Sequence, residues 1–297
     1  MYRAVTFYLS LFMLSVSVTA QKRAERPSIA GVVGIRLFAA NLDLTRDFYA
    51  KTLGLRECRS SAPLCFQVNA GQKIEFEHLS TADRPDRLVY VALEANDVST
   101  LLEYMNAKGV DSTDDVTRVG RTKVLDAYDP DRHIVEFVEH RNPKTRTSSS
   151  QTQVSSNIIH VGFVVNKRPA MDHFYKDILG FRPYWHGGMK DDTDDWVALQ
   201  VPDGTDWIEY MLNVPSNADK HTLGVMNHIA LGVPDIHAAE KQLIRNGWTG
   251  GEQPKIGRDG KWQLNLYDPD DTRVELMEFT PVQKPCCSEF TGPHPKP

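Results

Sequence analysis

A nine-residue string occurs twice in this chain, as DFYAKTLGL at 47–55 and as HFYKDILGF at 173–181. A chain that repeats itself over such a distance has to fold one unit at least twice, and this constrains the architecture more than any local propensity does. An apolar run precedes each copy, VVGIRLFA at 32–39 and IIHVGFVV at 158–165. Each run has strand character. Each string has helical spacing and stops at Gly54 or Gly180, the residue type that follows a helix C-terminus.

A second pair of segments repeats as well. VALEANDV at 91–98 matches IALGVPDI at 229–236, and each leads into a helix-like stretch ending at Gly109 or Gly247. Each then reaches the same close: Tyr128-Asp129-Pro130-Asp131 before Ile134-Val135-Glu136, and Tyr267-Asp268-Pro269-Asp270 before Arg273-Val274-Glu275. The Asp-Pro pair forces a turn, and the residues after it alternate as a strand does. The chain therefore reads as strand, helix and about three strands, four times over. Two units occupy 31–140 and two occupy 157–280. The polar, Ser/Thr-rich stretch 141–156 between them is read as a linker, and 281–297 as a Pro-rich disordered tail.

The order of elements, the Phe-Tyr…Leu-Gly helix end and the Tyr-Asp-Pro-Asp turn closing on a glutamate resemble the glyoxalase/bleomycin-resistance/dioxygenase (vicinal-oxygen-chelate) superfamily. The likeness covers nearly all of 31–280. It implies an α+β fold of four βαβββ units, forming two tandem cupped-sheet modules. It identifies the fold well but not the reaction, because the superfamily hosts lyases, epimerases, dioxygenases, thiol transferases and drug-binding proteins.

The resemblance also implies where a metal would sit, on the first and last strands of the half-units. In the second module those positions are His160, Glu209, His228 and Glu275. Two imidazoles and two carboxylates suit one divalent ion (zinc, iron, nickel, cobalt or manganese) and leave coordination positions open. Each residue alone has a dull reading, a hydrogen-bonded histidine or a solvent-facing glutamate. The set carries the argument. Aligning the first module on Phe48-Tyr49 places Gly34 where His160 stands, and Tyr90 falls where His228 stands. Glu75 and Glu136 keep the two carboxylate places, and carboxylates alone hold a transition metal poorly. The first module is read as a structural partner of the second or as a vestigial site.

Three functions follow from the resemblance. The leading one is a metal-dependent lyase or isomerase acting on a small oxygenated substrate, with Glu209 and Glu275 as ligands of which one moves a proton. The runner-up is an extradiol dioxygenase using Fe(II) on His160, His228 and Glu275. Against it, Arg258-Asp259-Gly260-Lys261 occupies the region where that family has an acid/base histidine, and Tyr267 abuts Asp268-Pro269 directly. The third is a non-enzymatic small-molecule binding protein, which a full ligand set disfavours. Trp185, Trp196, Trp207 and Tyr210 either line a pocket or fill the core, and core filling is the expected role.

Charge and targeting bound the partners. A net charge of -5 with mixed signs gives no basic face for nucleic acid. Residues 4–20 carry no charge and end Val18-Thr19-Ala20, the pattern of a cleaved secretory signal over 1–20. The mature protein is then expected to be secreted or periplasmic, without a membrane anchor. Export allows disulfides. Cys58 and Cys65 flank a turn and are candidates for one, with the pairing left open. Cys286-Cys287 falls in the tail.

Overall fold

The computed structural model describes residues 25–80, 85–140 and 150–297. The expected signal peptide, and residues 141–149 of the expected linker, lie outside the described residues. Among the described residues no helix is long and apolar enough to cross a membrane.

Each module is one eight-stranded curled sheet. In the first, β1 (Ile29–Ala39), β2 (Arg56–Glu57), β3 (Leu64–Gln67), β4 (Lys73–His78), β5 (Leu88–Ala95), β6 (Thr117–Val119), β7 (Thr122–Tyr128) and β8 (Ile134–His140) stand in the order β2-β3-β4-β1-β5-β8-β7-β6. In the second, β9 (Asn157–Val164), β10 (Arg182–Gly187), β11 (Trp196–Gln200), β12 (Trp207–Met211), β13 (His228–Val233), β14 (Lys255–Ile256), β15 (Trp262–Tyr267) and β16 (Arg273–Glu278) repeat that order as β10-β11-β12-β9-β13-β16-β15-β14. The first and last strands of each unit are parallel neighbours, and the two units of a module meet antiparallel along β1–β5 and β9–β13. The four βαβββ units read from the sequence are all present. Their helices are α1 (Leu42–Arg46), α2 (Val98–Ala107), α3 (Arg168–Asp172) and α5 (Ile236–Arg245), and α4 (Lys220–Met226) is an extra turn before β13.

The repeated strings have local causes. The aspartate of ANDV and VPDI is the helix N-cap. Asp97 accepts from the amides of Ser99 and Thr100, and Asp235 from that of Ala238, each satisfying a donor that the first turn leaves free. The Phe-Tyr segments continue α1 and α3 as π-helical turns, Asp47–Thr52 and His173–Ile178. They end on Gly54 (φ 69°) and Gly180 (φ 79°), a backbone region in which a side chain is strained.

The same strings join the modules. In each Tyr-Asp-Pro-Asp turn, one oxygen of the first aspartate accepts amides of its own loop: Asp131 and His133 for Asp129, Asp270 and Thr272 for Asp268. The other oxygen accepts a tyrosine hydroxyl from the opposite module. Tyr49 donates to Asp268 at 3.2 Å and Tyr175 to Asp129 at 3.4 Å. Hydrogen bonds to buried carboxylates are among the stronger ones, and these two are related by the pseudo-twofold symmetry of the repeat. The apolar core is continuous across the join, from Ile35 and Leu37 of β1 to Val161 and Phe163 of β9.

Two expectations need correction. The Pro-rich tail is docked, not disordered. Its proline content excludes regular structure, but its remaining polar groups find partners along β10 and in the β14–β15 turn. The Thr291 amide donates to Tyr184 O (3.0 Å) and the Cys286 amide to Arg258 O (2.8 Å). The Ser288 hydroxyl accepts the His186 amide (2.9 Å), and Phe290 packs on Tyr184. The end of the expected linker is also bound into the seam: the Val154 amide donates to Leu53 O and the Ser155 hydroxyl to Gly232 O. Cys58 and Cys65 are joined as a disulfide across the β2–β3 turn, and Cys286 and Cys287 form a vicinal one.

Candidate metal centre

Four adjacent strands, β12-β9-β13-β16, each bring one of the four ligand-type residues to the concave face. Register explains why they meet. His160 stands opposite Ala230 and His228 opposite Gly162 on the antiparallel pair. Glu209 is beside Gly162, and Glu275 beside Ala230, on the flanking parallel strands. Side chains alternate faces with a period of two, so all four share one face, and Gly162 and Ala230 leave the space between them. The glycine is essential to this packing: a Cβ on Gly162 would lie 2.0 Å from His228 Cε1.

The Nε2 atoms of His160 and His228 are 3.0 Å apart. Glu209 Oε2 lies 3.4 Å from His228 Nε2 and 3.9 Å from His160 Nε2. Glu275 Oε2 lies 3.8 Å and 3.7 Å from the same two atoms. Ligands about 2.1 Å from a shared ion stand about 3.0 Å apart when adjacent on an octahedron. The imidazole pair has that spacing and the carboxylates stand wider; His160, His228 and Glu209 form one compact group, which Glu275 flanks without joining.

The electrostatics suit metal ligation. Burial, with Arg273 nearby, pushes His228 down to about 3. Burial first, then His228 and the cations Arg273 and Lys261, hold His160 well below the usual histidine range. Both rings are therefore neutral, and their approach to the glutamates is not ion pairing. The His228 Nδ1–H donates to Met226 O at 2.8 Å, which leaves the Nε2 lone pair facing the cluster. His160 is oriented by packing: its ring stacks on Trp207 at 4.6 Å, and its Nδ1 has no hydrogen-bond partner. Burial pushes Glu209 up to about 7 and raises Glu275 as well, against the pull of Arg273. Two neutral nitrogen donors facing two buried carboxylates, with Arg273 and Lys261 as the nearby cations, make a donor set that fits a divalent cation.

The cluster forms the floor of a cavity of about 530 Å³. Its walls include Tyr184, Trp185, Met189, Trp196, Trp207 and Phe290, with Asn265 and Arg273 nearer the carboxylates. Glu209 and Glu275 reach this cavity; their side chains are 13% and 5% exposed, while both imidazoles are sealed. Three of the four aromatic residues expected in the core are thus cavity walls. Trp185 and Trp207 are at the same time buried in a core cluster with Trp196 packed against it, and Tyr210 lies wholly in the core among Phe163 and Tyr175. Sequence reasoning missed Gly162, Arg273 and Lys261. The glycine had a signal, its place two residues after a candidate ligand on a β-strand. The cations had none.

The first module has the same frame and a different filling. Gly34 pairs with Ala92 and Lys73, as His160 pairs with Ala230 and Trp207. Arg36 pairs with Tyr90 and Glu75, as Gly162 pairs with His228 and Glu209. Glu136 stands beside Ala92 as Glu275 stands beside Ala230. The sequence alignment of Gly34 with His160 and Tyr90 with His228 holds strand by strand.

The family model of the glyoxalase/bleomycin resistance protein/dioxygenase superfamily matches residues 31–137 and 157–276. No curated protein matches the sequence. Among solved structures, homoprotocatechuate 2,3-dioxygenase from Brevibacterium fuscum, in complex with 3,4-dihydroxyphenylacetate, superposes with a TM-score of 0.64 at 17% identity, covering 91% of this chain and 84% of that one. The Mn(II)-bound glyoxalase from Novosphingobium aromaticivorans gives 0.67 at 16% identity, covering 85% and 83%. The 2,3-dioxygenase LapB from Pseudomonas sp. KL28 gives 0.64 at 15% identity, covering 92% and 96%.

Proposed function

The chain belongs to the glyoxalase/bleomycin resistance protein/dioxygenase superfamily, and from that premise we propose that its second module is the active centre of a metal-dependent lyase or isomerase acting on a small oxygenated substrate. His160, His228 and Glu275 would hold one divalent ion, with Glu209 as fourth ligand. The ion would supply Lewis acidity to a carbonyl oxygen of the substrate. Glu209 is the residue that moves a proton on the adjacent carbon, because it is the more exposed of the two carboxylates that reach the cavity. Trp185, Trp196 and Trp207 exclude water from the reacting carbon.

The observation that carries this reading is the position of Glu209. A carboxylate 3.4 Å from His228 Nε2 adds a fourth ligand-type group to the two-histidine, one-carboxylate set. The dioxygenase reading keeps one support: His160, His228 and Glu275 suffice for iron on their own. That reaction also needs a proton-transferring group at the substrate, and among the described residues no further histidine lines the cavity.

The deciding experiment loads wild type and E209Q with metal. Deuterium exchange from D2O into dihydroxyacetone should occur in wild type and fall about 100-fold or more in E209Q, with metal retained. Oxygen uptake with catechol by the Fe(II)-loaded protein, undiminished in E209Q, would replace this reading with the dioxygenase. We propose further that the mature chain begins near Gln21 in an oxidising compartment, supported by two disulfides and no free cysteine among the described residues. Intact Met1 in the mass spectrum of mature protein would refute export by cleavage.

A further inference from the structure

The two disulfides differ in what they can hold. Cys58–Cys65 closes a turn across a sequence separation of 7, whereas Cys286–Cys287 bridges neighbours, at a separation of 1. A cross-link stabilises a fold chiefly by closing a loop of the unfolded chain, and its effect grows with the length of that loop. The vicinal bridge closes no such loop, so stapling distant segments is not its role. It does close a small ring around the 286–287 peptide, and that ring contains the N–Cα bond of Cys287. Cys287 has φ 69°, in the left-handed region that residues with a side chain avoid. While the bond is intact, the ring restrains that angle whether or not the tail is docked. Once the bond is broken, only docking restrains it.

The bridge lies where the tail, 281–297, forms a wall of the cavity. Cys286 and Phe290 line the cavity beside Trp185. The Cys286 amide donates to Arg258 O at 2.8 Å, and its carbonyl accepts the Trp185 Nε1–H at 3.2 Å. The Ser288 hydroxyl accepts the His186 amide and donates to the His186 carbonyl. Neither cysteine of the pair is buried, whereas Cys65 of the other bridge is. Arg258 is aimed at the second sulfur. Gly188 O at 3.1 Å and the Asp191 carboxylate hold its guanidinium, and its Nη2 lies 3.7 Å from Cys287 Sγ. A guanidinium beside a sulfur favours the thiolate, which makes Cys287 the better leaving group of the two.

We propose that Cys286–Cys287 is a thiol–disulfide exchange site whose co-reactant is a dithiol reductant. A thiolate of the dithiol bonds to Cys286 Sγ and expels Cys287 as a thiolate beside Arg258. The second sulfur of the dithiol then attacks the mixed disulfide and releases Cys286. The dithiol leaves as its own disulfide, the cysteine pair gains two electrons, and the two protons of the reductant's thiols pass to the cysteines or to solvent. Opening frees the φ angle of Cys287. Relaxation of that residue loosens the tail, and the cavity wall carrying Cys286 and Phe290 becomes sensitive to redox state. This site requires neither the metal nor the reaction proposed above.

Differential alkylation with peptide mass mapping tests the exchange site on the mature wild-type protein, in dithiothreitol buffers of graded reduced-to-oxidised ratio. Cys286–Cys287 should be half reduced at a ratio at least about tenfold lower than Cys58–Cys65 requires, because exposed bridges are the labile ones. R258Q should slow opening by dithiothreitol about fivefold or more, since it removes the cation at the leaving sulfur. The tail is read without reductant, by chymotrypsin cleavage after Phe290, which tracks the population of the undocked form. C286S/C287S should be cut about tenfold faster than the oxidised wild type. C286S/C287G should fall between the two, because glycine tolerates the positive φ. Reduction of Cys58–Cys65 at the same ratio or before the vicinal pair, or opening of R258Q at the wild-type rate, overturns the exchange site. Equal cleavage of the wild type and both double variants overturns its coupling to the cavity wall. Should C286S/C287S not fold, the order of reduction and R258Q decide the first point, and C286S/C287G against the wild type decides the second.

Discussion

Where the second module turns two imidazoles towards each other, the first module has a glycine and a tyrosine, with an arginine laid across them. Arg36 donates to Glu75 at 3.1 Å and to Glu77 at 2.8 Å, and its guanidinium lies 4.7 Å over the Tyr90 ring. Lys73 donates to the other oxygen of Glu75 at 2.7 Å, and the Tyr90 hydroxyl is bonded to Glu75 as well. Both oxygens of Glu75 are spent. Burial raises this carboxyl, but Lys73 and the hydrogen bonds together pull it down to about 2. In the second module the counterparts of Arg36 and Lys73 are Gly162 and Trp207, so Glu209 has no fixed cation bonded to it. The first frame ties Glu75 to two protein cations by hydrogen bonds, and the second puts a glycine and a tryptophan in the places of those cations. A guanidinium satisfies charge but offers no open coordination position.

The largest expected effect tests that division directly. H160A combined with H228A should reduce bound metal from about one equivalent to below about a tenth, since no second-module carboxylate can replace the imidazole donors. E75Q combined with E136Q should leave it at one. Elemental analysis of the purified variants reads both. Metal that survives the histidine pair, or that leaves with the first-module pair, would reverse the assignment.

A subtler change should give the next largest effect. G162A alters no ligand, yet its methyl would occupy the place of the His228 ring. Displacing one ligand in this way should weaken metal affinity about 10- to 100-fold, measured by competition with a chelator. Gly34 gives the converse lesson. A Cβ there would lie 2.6 Å from the Lys73 carbonyl, so the first module has closed over the place where an imidazole would start. An affinity of G162A within twofold of wild type would show that the ring has room to move and that the glycine is incidental.

The repeat made the frame legible. Strand order, cap aspartates and the paired Tyr-Asp-Pro-Asp turns all follow from local strings, and the four candidate ligand positions follow from the family resemblance. What the sequence concealed depends on contacts between distant segments. Nothing near Lys261 announces that Tyr184, Trp207 and Phe290 enclose it, because those residues come from β10, β12 and the tail. Composition made the tail look disordered, since proline content reports the absence of ladders and not the absence of docking. Trp185, Trp196 and Trp207 were assignable to core or cavity only once the curl of the sheet had placed them.

Lys261 also marks a contrast in how the modules carry charge. The first module's cations are hydrogen-bonded; this one has no acceptor. Burial pushes it down to about 8, although Asp259, Glu275 and Glu209 pull the other way. A lysine whose folded value is lowered from 10.5 is protonated in the unfolded chain and neutral in the folded one between about 8 and 10.5. Stability therefore rises with pH across that window, and the full cost is present below it. The shift corresponds to about 3 kcal/mol at most. K261M should be more stable than wild type by about 2 kcal/mol at pH 7, with the gain fading above pH 10 in urea denaturation. A destabilised K261M would mean that the ammonium holds the aromatic cage and the docked tail together.

The smallest effect belongs to Glu136, the first-module counterpart of Glu275. Burial and the proximity of Asp126 raise it to about 7, and Glu75 adds to this against the pull of Lys73 and Arg36. Its ordinary value is 4.5, so between about 4.5 and 7 the folded chain holds a proton that the unfolded chain has released. Stability accordingly falls as pH rises through that window, and the penalty is complete above it. For Glu75 the sign is opposite: its contribution is present above about 4.5 and is lost as pH falls towards 2. E136Q removes the first effect without touching the second. It should raise stability by about 1–2 kcal/mol at pH 8, a figure reduced from the full shift because the site is only partly shielded from solvent, and should change little at pH 4. Thermal unfolding at the two pH values reads the difference. A uniform change at both would mean that Glu136 acts through packing, and the first module would then hold its carboxylates by shape and not by charge.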